Sequence, residues 1–179
     1  MDEGVTFEQM KGSLGSLLLL WAGIERTVRD EVSRAHSGIL PKSAYGIAAA
    51  LNTWEAAMIE DQLARPFQAL LASRLRAQPQ WPLEIRNGVC HGLIGVSAAD
   101  GGKPATLTWE INGIQSSITW DELQTVFKWL SKIPGAISMI SRAPADQKSC
   151  REARLLPDRQ WWVAEYGIDL PEPHVDVPL

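Results

Sequence analysis

Apolar residues recur at helical spacing near the start of the chain. From about Ser16 to His36 they fall every three or four positions, and charged or polar residues take the opposite face. The pattern predicts a long amphipathic helix that buries one side. The apolar positions are Leu17, Trp21, Ile24, Val28, Val32 and Ala35.

A second helical pattern begins after Gly38 and Pro41, which end the first helix. Ser43 suits its N-cap. Pro66 should kink or restart this helix, so we expect Phe67 to Leu75 to form a separate segment. The apolar positions of the second pattern are Ala44, Ile47, Leu51, Trp54, Met58 and Ile59.

A third helix is expected to start near Pro82, a residue suited to a first helical turn. Its apolar side carries Ile85, Val89, Leu93 and Val96. Its flank carries Gly88, Gly92 and Gly95. Two interpretations of this flank stay open. Either it admits a closely packed backbone, from this chain or from a second subunit, or a glycine ends the helix early.

Alternating residues then predict a β-hairpin that turns at Asn112-Gly113, the strongest short hairpin signal. Thr119 and Glu122 have the spacing of a capping box, which opens a last long helix. Pro134-Gly135 is expected to interrupt that helix, and Ile137 and Ile140 then continue it as a kinked extension. The alternating apolar residues are Leu107, Trp109, Ile111, Ile114 and Ile118, and the helix face is Leu123, Val126, Phe127, Leu130 and Ile133.

The length of 179 residues, with 45% hydrophobic and 21% charged residues, indicates a single domain over 1–179. Its core is expected at about 14–142, followed by a C-terminal extension at 143–179. Prolines and acidic residues predict an extended end to this tail. Trp161, Trp162 and Tyr166 are expected to anchor it.

Charge and cysteine content exclude several classes of protein. A net charge of −4 does not indicate a general nucleic-acid binder, although a local basic patch stays possible. Cys90 and Cys150 are the only cysteines, so we expect reduced thiols and a cytoplasmic location. The apolar run from Leu17 to Trp21 is too short to cross a membrane. Neither metal-ligand spacing nor a phosphate-binding loop is present, and no cofactor is predicted.

The residues most suggestive of chemistry lie on the third helix, between Arg86 and His91. At 100° per residue, Asn87 and His91 point away from the apolar side. His91 is therefore either a solvated surface residue or part of a site at a cleft or subunit interface. Cys90 is interpreted as a small packing residue rather than a nucleophile, because no second histidine lies nearby in sequence to activate it.

Two further features bear on this stretch. Glu25 lies inside the apolar stripe of the first helix, where it either reaches water at the edge or pairs with Arg86. The residues from Gln62 to Leu83 contain arginines and no acidic residue, which is typical of a solvated face or of an RNA-binding patch. These arginines are Arg65, Arg74 and Arg76.

The order of elements and the spacing from Arg86 to His91, with polar Asn87 after the arginine, resemble the R-x(4-6)-H signature of HEPN domains. The resemblance covers roughly residues 14–142. It implies a mainly α fold, a HEPN-like helical bundle with the β-hairpin inserted between the motif helix and the last long helix. The hairpin and the tail depart from the plainest version of the family.

The same resemblance implies a homodimer that cleaves RNA without a metal, with Arg86, Asn87 and His91 as the catalytic residues. It also implies a toxin or defence role and a cognate antitoxin, which is of nucleotidyltransferase type in related systems. The chemistry of the residues agrees, because His91 can transfer protons near neutral pH and Arg86 can stabilise phosphorane charge. Two alternatives remain, a non-catalytic HEPN-like RNA-binding or protein-interaction module and a helical protein whose Arg86 and His91 are merely solvated.

Overall fold

The computed structural model describes residues 4–60, 66–143, 159–168 and 170. Within them the chain is mainly helical with one small antiparallel sheet, which confirms the predicted mainly α class. The elements are α1 (Phe7–Ala35), a 3-10 turn (Lys42–Ala44), α2 (Ile47–Glu60), α3 (Pro66–Ala77), α4 (Gln80–Gly92), β1 (Leu93–Ser97), β2 (Thr106–Ile111), β3 (Ile114–Thr119), α5 (Trp120–Arg142) and α6 (Arg159–Tyr166).

The chain divides into two compact units. The first unit takes its residues from 1–30 and 78–136, and the second from 31–77 and 137–179. The motif helix α4 and the sheet belong to the first unit, whereas α2, α3 and α6 belong to the second. The prediction of one domain over 1–179 stays a prediction.

The hairpin forms where the sequence places it. β2 and β3 pair antiparallel from Thr106↔Thr119 to Ile111↔Ile114. Asn112 and Gly113 both have positive φ, 54° and 78°, as a turn that follows the twist of its strands requires. Leu107 and Ile118 lie opposite each other and are buried, so one face of the hairpin enters the core of the first unit.

The third helix ends early at a glycine, as one of the two interpretations predicted, so the helical face drawn through Leu93 and Val96 does not form. α4 ends at Gly92, and the next residues form β1, which pairs antiparallel with β2. The apolar positions Leu93 and Val96 fit both a helical and an extended pattern, and pairing with β2 decides between them. The inserted element is therefore a three-stranded sheet in the order β1-β2-β3 rather than a hairpin alone.

Two helix starts also differ from the sequence prediction. α1 begins at Phe7 rather than near Ser16, because Thr6 and Gln9 cap it reciprocally and Met10 is buried. α2 begins at Ile47 rather than after a cap at Ser43, because Gly46 has a φ of 83° and separates it from the 3-10 turn.

Other boundaries agree with the prediction. Pro66 starts the separate helix α3, and Pro82 lies in the first turn of α4. α5 runs through Pro134 to Arg142 as one helix, so the expected continuation over Ile137 and Ile140 forms, whereas the expected interruption at Pro134-Gly135 does not. The capping box that starts α5 is formed by Thr119 and Glu122, each bonding to the other's backbone or side chain.

Helix α6, in the second unit, carries two buried aromatic side chains. Trp162 and Tyr166 are buried on α6, with ring centroids 5.2 Å apart, whereas Trp161 is partly exposed. Burial raises the pKa of the Tyr166 hydroxyl, and the charge of Glu165 adds to that rise. Of the three residues of the expected anchor, Trp162 and Tyr166 are therefore buried and Trp161 is not. The expected extended end of the tail lies outside the described residues.

Candidate active site on the motif helix

Helix α4 presents the polar stretch at the surface of the first unit. Arg86 and Asn87 are half-buried, and the Arg86 Nη1 donates a hydrogen bond to Asn87 Oδ1 at 2.9 Å. Cys90 and His91 are exposed. Asn87 lies one helical turn before His91 on the same face, so the bond joins the guanidinium to the amide that shares the imidazole's face of α4.

The glycine flank has its close neighbour in the same chain. A Cβ at Gly88 would overlap the indole of Trp109, and a Cβ at Gly92 would overlap the carbonyl oxygen of Glu110. Both neighbours lie on β2, against which α4 packs. Gly95 has no such need, since its added Cβ would meet Thr108 at an ordinary 3.7 Å. Both interpretations of the flank therefore hold in part, because the backbone is approached closely and the helix ends at Gly92.

Glu25 is an edge residue that pairs within its own helix. Its Oε1 lies 2.8 Å from Arg29 Nη2, one turn further along α1, and its side chain is partly exposed. Arg86 bonds to Asn87 instead. The alternative that Glu25 fixes the Arg86 guanidinium is therefore wrong, because each of the two charged groups is paired with another residue.

Cys90 does not have the packing role expected of it. Its side chain is exposed on α4. An exposed cysteine one residue before His91 borders the polar face without filling the core. The thiol contributes no contact to the Arg86–Asn87 pair.

The two described arginines of the predicted basic patch do not lie on one face of α3. Arg74 is exposed, whereas Arg76 donates from Nε to Asn52 Oδ1 at 2.8 Å. The two are two positions apart on α3, about 200° around the helix, so they point to nearly opposite sides. Arg65 lies outside the described residues. Arg74 and Arg76 belong to the second unit, whereas the motif belongs to the first.

One charged cluster, centred on Glu31, was not predicted from the sequence. The carboxylate of Glu31 is buried in the second unit and contacts Arg34 and Arg142. Glu31 lies between the stripe residues Val28 and Val32, so the criterion that singled out Glu25 would also have found it. Its partner Arg142 is more than a hundred positions away and carries no sequence signal of the pairing.

A shallow cleft of about 480 Å³ lies elsewhere in the second unit. Its polar lining is His36, Ser43, Asn52, Thr53 and Glu60. The His36 Nδ1 lies 3.0 Å from the Val32 carbonyl, which can only accept, so Nδ1 is the protonated nitrogen. The cleft contains none of the predicted catalytic residues.

Among the described residues, no three histidine, cysteine, aspartate or glutamate side chains are grouped so that they could hold a metal ion. Within the same residues, no helix has the length and apolar character needed to cross a membrane. Comparisons with models of protein families, with curated proteins and with solved structures each found no match for this chain.

Proposed function

We propose that the chain is a HEPN-type endoribonuclease that needs no metal and works as a homodimer with a composite active site. The observation that carries the proposal is the Arg86–Asn87 hydrogen bond on an exposed helix face that also holds His91. A cation, an amide and an imidazole within two turns supply the groups that cleavage of a phosphodiester through the ribose 2′-OH requires.

In the proposed reaction, one His91 accepts the proton of the ribose 2′-OH while the 2′-oxygen attacks phosphorus. A second His91, in its protonated form, gives a proton to the 5′-oxygen as the P–O5′ bond breaks. Arg86 stabilises the negative charge that develops on the phosphoryl oxygens, and Asn87 holds the guanidinium in place. The products are a 2′,3′-cyclic phosphate and a free 5′-hydroxyl.

The need for an acid and a base at once supports a dimer, since each chain supplies one His91 in this stretch. Exposed apolar residues next to the motif support the same assembly. Leu93 and Ile94 come two and three positions after His91, and Ile111 and Ile114 pair at the tip of the hairpin. An apolar surface of this kind next to polar catalytic groups is suited to contact with a second copy.

The proposed role is that of a cytoplasmic toxin or defence protein. In that role a cognate antitoxin, for which a nucleotidyltransferase type is the expected candidate, would bind the chain and prevent cleavage. The proposal predicts that a neighbouring reading frame encodes such a partner and that co-expression relieves toxicity.

The decisive assay incubates the purified chain with single-stranded and structured RNA in EDTA. The proposal predicts fragments that end in a 2′,3′-cyclic phosphate. RNA that is bound but stays intact would instead assign the second candidate, a non-catalytic HEPN-like RNA-binding or protein-interaction module. The exposure of Cys90 and His91 beside the same apolar surface favours that candidate, because an interface needs no enclosed pocket.

A further inference from the structure

Glu31 is a buried carboxylate with two arginine partners in the second unit. Its side chain is 1% exposed, and its two oxygens are shared between two helices. Oε2 contacts Arg34 Nη1, one turn along α1, and Oε1 accepts from Arg142 Nε at 3.0 Å, at the end of α5. Ser138, one turn before Arg142, donates to the same Oε1 at 3.3 Å. Every oxygen of the carboxylate is therefore engaged.

The two guanidinium groups, unlike the carboxylate, are open to solvent. The side chains of Arg34 and Arg142 are 48% and 62% exposed. Arg142 uses only its Nε, so the edge formed by its two terminal amino groups has no acceptor among the described residues. Arg34 likewise keeps its Nε and Nη2 unbonded within that part of the chain. One carboxylate against two guanidiniums leaves a net positive charge.

This arrangement has the properties of a prepared phosphate site. A guanidinium binds a phosphate through two parallel N–H groups, and it loses least entropy when its orientation is already fixed. The buried carboxylate of Glu31 holds both arginines in place, and each guanidinium keeps N–H groups that can donate to a ligand from solvent. An ordinary surface arginine has no such support, and a fully neutralised ion pair has no excess charge to attract an anion.

We infer that Arg34 and Arg142, held by Glu31, form a binding site for a backbone phosphate of RNA. Glu31 is a positioning residue, since it touches the arginines and not the ligand. The choice of RNA rather than another phosphate-bearing ligand rests on the proposed function. The site itself rests on the contacts within the second unit.

The test measures binding of a short fluorescent 2′-O-methyl RNA by anisotropy over a range of salt concentrations. This RNA lacks the attacking hydroxyl, so binding is measured whether or not the chain is a nuclease. The double variant Glu31→Gln with Arg142→Gln removes one charge of each sign and leaves the net charge unchanged. We expect it to weaken binding about tenfold and to reduce the slope of log affinity against log salt by about 0.7.

Arg26→Gln is the matched control, since Arg26 is an exposed arginine on the same helix α1. It removes a charge without touching the cluster, and it should change binding by less than about twofold. Binding of the double variant equal to that of the Arg26 control would overturn the inference. Circular dichroism at the assay temperature checks that each variant is folded.

If the double variant does not fold, Arg142→Lys decides the question. Lysine keeps the charge and can still reach Glu31, but it lacks the second parallel donor, so binding should weaken about threefold. Unchanged binding would overturn the site. Binding of inorganic phosphate without binding of the RNA would overturn the assignment to a polynucleotide. RNA that binds through Arg142 but is never cleaved would contradict the proposed nuclease and leave this site standing.

Discussion

Gly92 lies at the residue where α4 becomes β1, with the carbonyl of Glu110 against its Cα. The sequence marks Gly88 and Gly92 as a flank without side chains. It does not identify what fills the flank, because the neighbour is a strand that begins more than ten residues later. The two glycines therefore predict that another backbone segment packs closely against α4, but only the fold decides which segment it is.

Replacing Gly92 by alanine should destabilise the chain. The new Cβ overlaps a backbone oxygen that can move only with β2, and such overpacking costs about 1–3 kcal/mol. The gain in helix propensity, about 1 kcal/mol, offsets part of it. Urea denaturation measures the difference, with Gly95→Ala as the control because its Cβ meets Thr108 at an ordinary contact distance of 3.7 Å. A Gly92→Ala chain as stable as the parent would contradict the packing described.

The Arg86–Asn87 hydrogen bond gives a second prediction at this scale. Asn87→Ala removes the acceptor of the Arg86 guanidinium. We therefore expect kcat/KM for RNA cleavage to fall about tenfold in this variant. Gln80→Ala, which removes an exposed amide from the start of the same helix, should leave the rate unchanged. Equal rates for the two variants would show that Asn87 has no part in positioning Arg86.

At the scale of elements, local signals were sufficient for the hairpin turn and for the cap of α5, but not for the starts of α1 and α2. The Asn112-Gly113 turn and the Thr119–Glu122 box each depend on residues within four positions of one another. β1 was not predictable in this way, because Leu93 and Val96 suit a helix as well as a strand. Its identity depends on pairing with Leu107 and Trp109 of β2. The order of elements was therefore largely readable, and the boundary between α4 and β1 was not.

The capping box gives stability a pH dependence that can be measured. Hydrogen bonds from the backbone N–H and the hydroxyl of Thr119 lower the pKa of the Glu122 carboxyl. A lowered pKa means that the charged carboxylate stabilises the fold above its unfolded pKa of about 4.3, and that this stabilisation is lost as pH falls below it.

Glu122→Gln should therefore lower stability by about 0.3–0.5 kcal/mol at pH 7, where the charge also favours the helix N-terminus. The gap between variant and parent should narrow as pH falls below the unfolded pKa and close as pH falls through the lowered, folded-state pKa of Glu122. Thermal melts at several pH values measure it, and Thr119→Ala should weaken the same pH dependence. A gap that stays constant from pH 7 to pH 3 would contradict the assigned contact.

At the scale of the whole molecule, the proposed composite site requires two copies. The glycine flank no longer supports a second subunit, since β2 fills it. Two observations still support the proposed dimer. Each chain supplies one histidine to the motif, and exposed apolar residues follow it in the sequence. Oligomeric state cannot be obtained from the periodicity of one chain, because the same exposed residues suit a second copy or a different partner.

Placing a charge on the apolar surface tests the dimer. Ile114 is 70% exposed at the hairpin tip, and Ile114→Glu should reduce the mass in solution from two chains to one and lower the cleavage rate at least about tenfold. Leu19→Glu is the control, because Leu19 is 75% exposed on α1 away from the motif in sequence. Light scattering and the cleavage assay read both effects. A parental chain that is monomeric at micromolar concentration would contradict the composite site.

The most direct measurement is the rate of RNA cleavage in EDTA by the parent, by His91→Ala and by His36→Ala. His36 is a matched histidine that belongs to the second unit. Loss of a general acid and base should slow cleavage by at least about a hundredfold in the His91 variant, while the His36 variant keeps the parental rate. Cleavage by His91→Ala at the parental rate would contradict the proposed function.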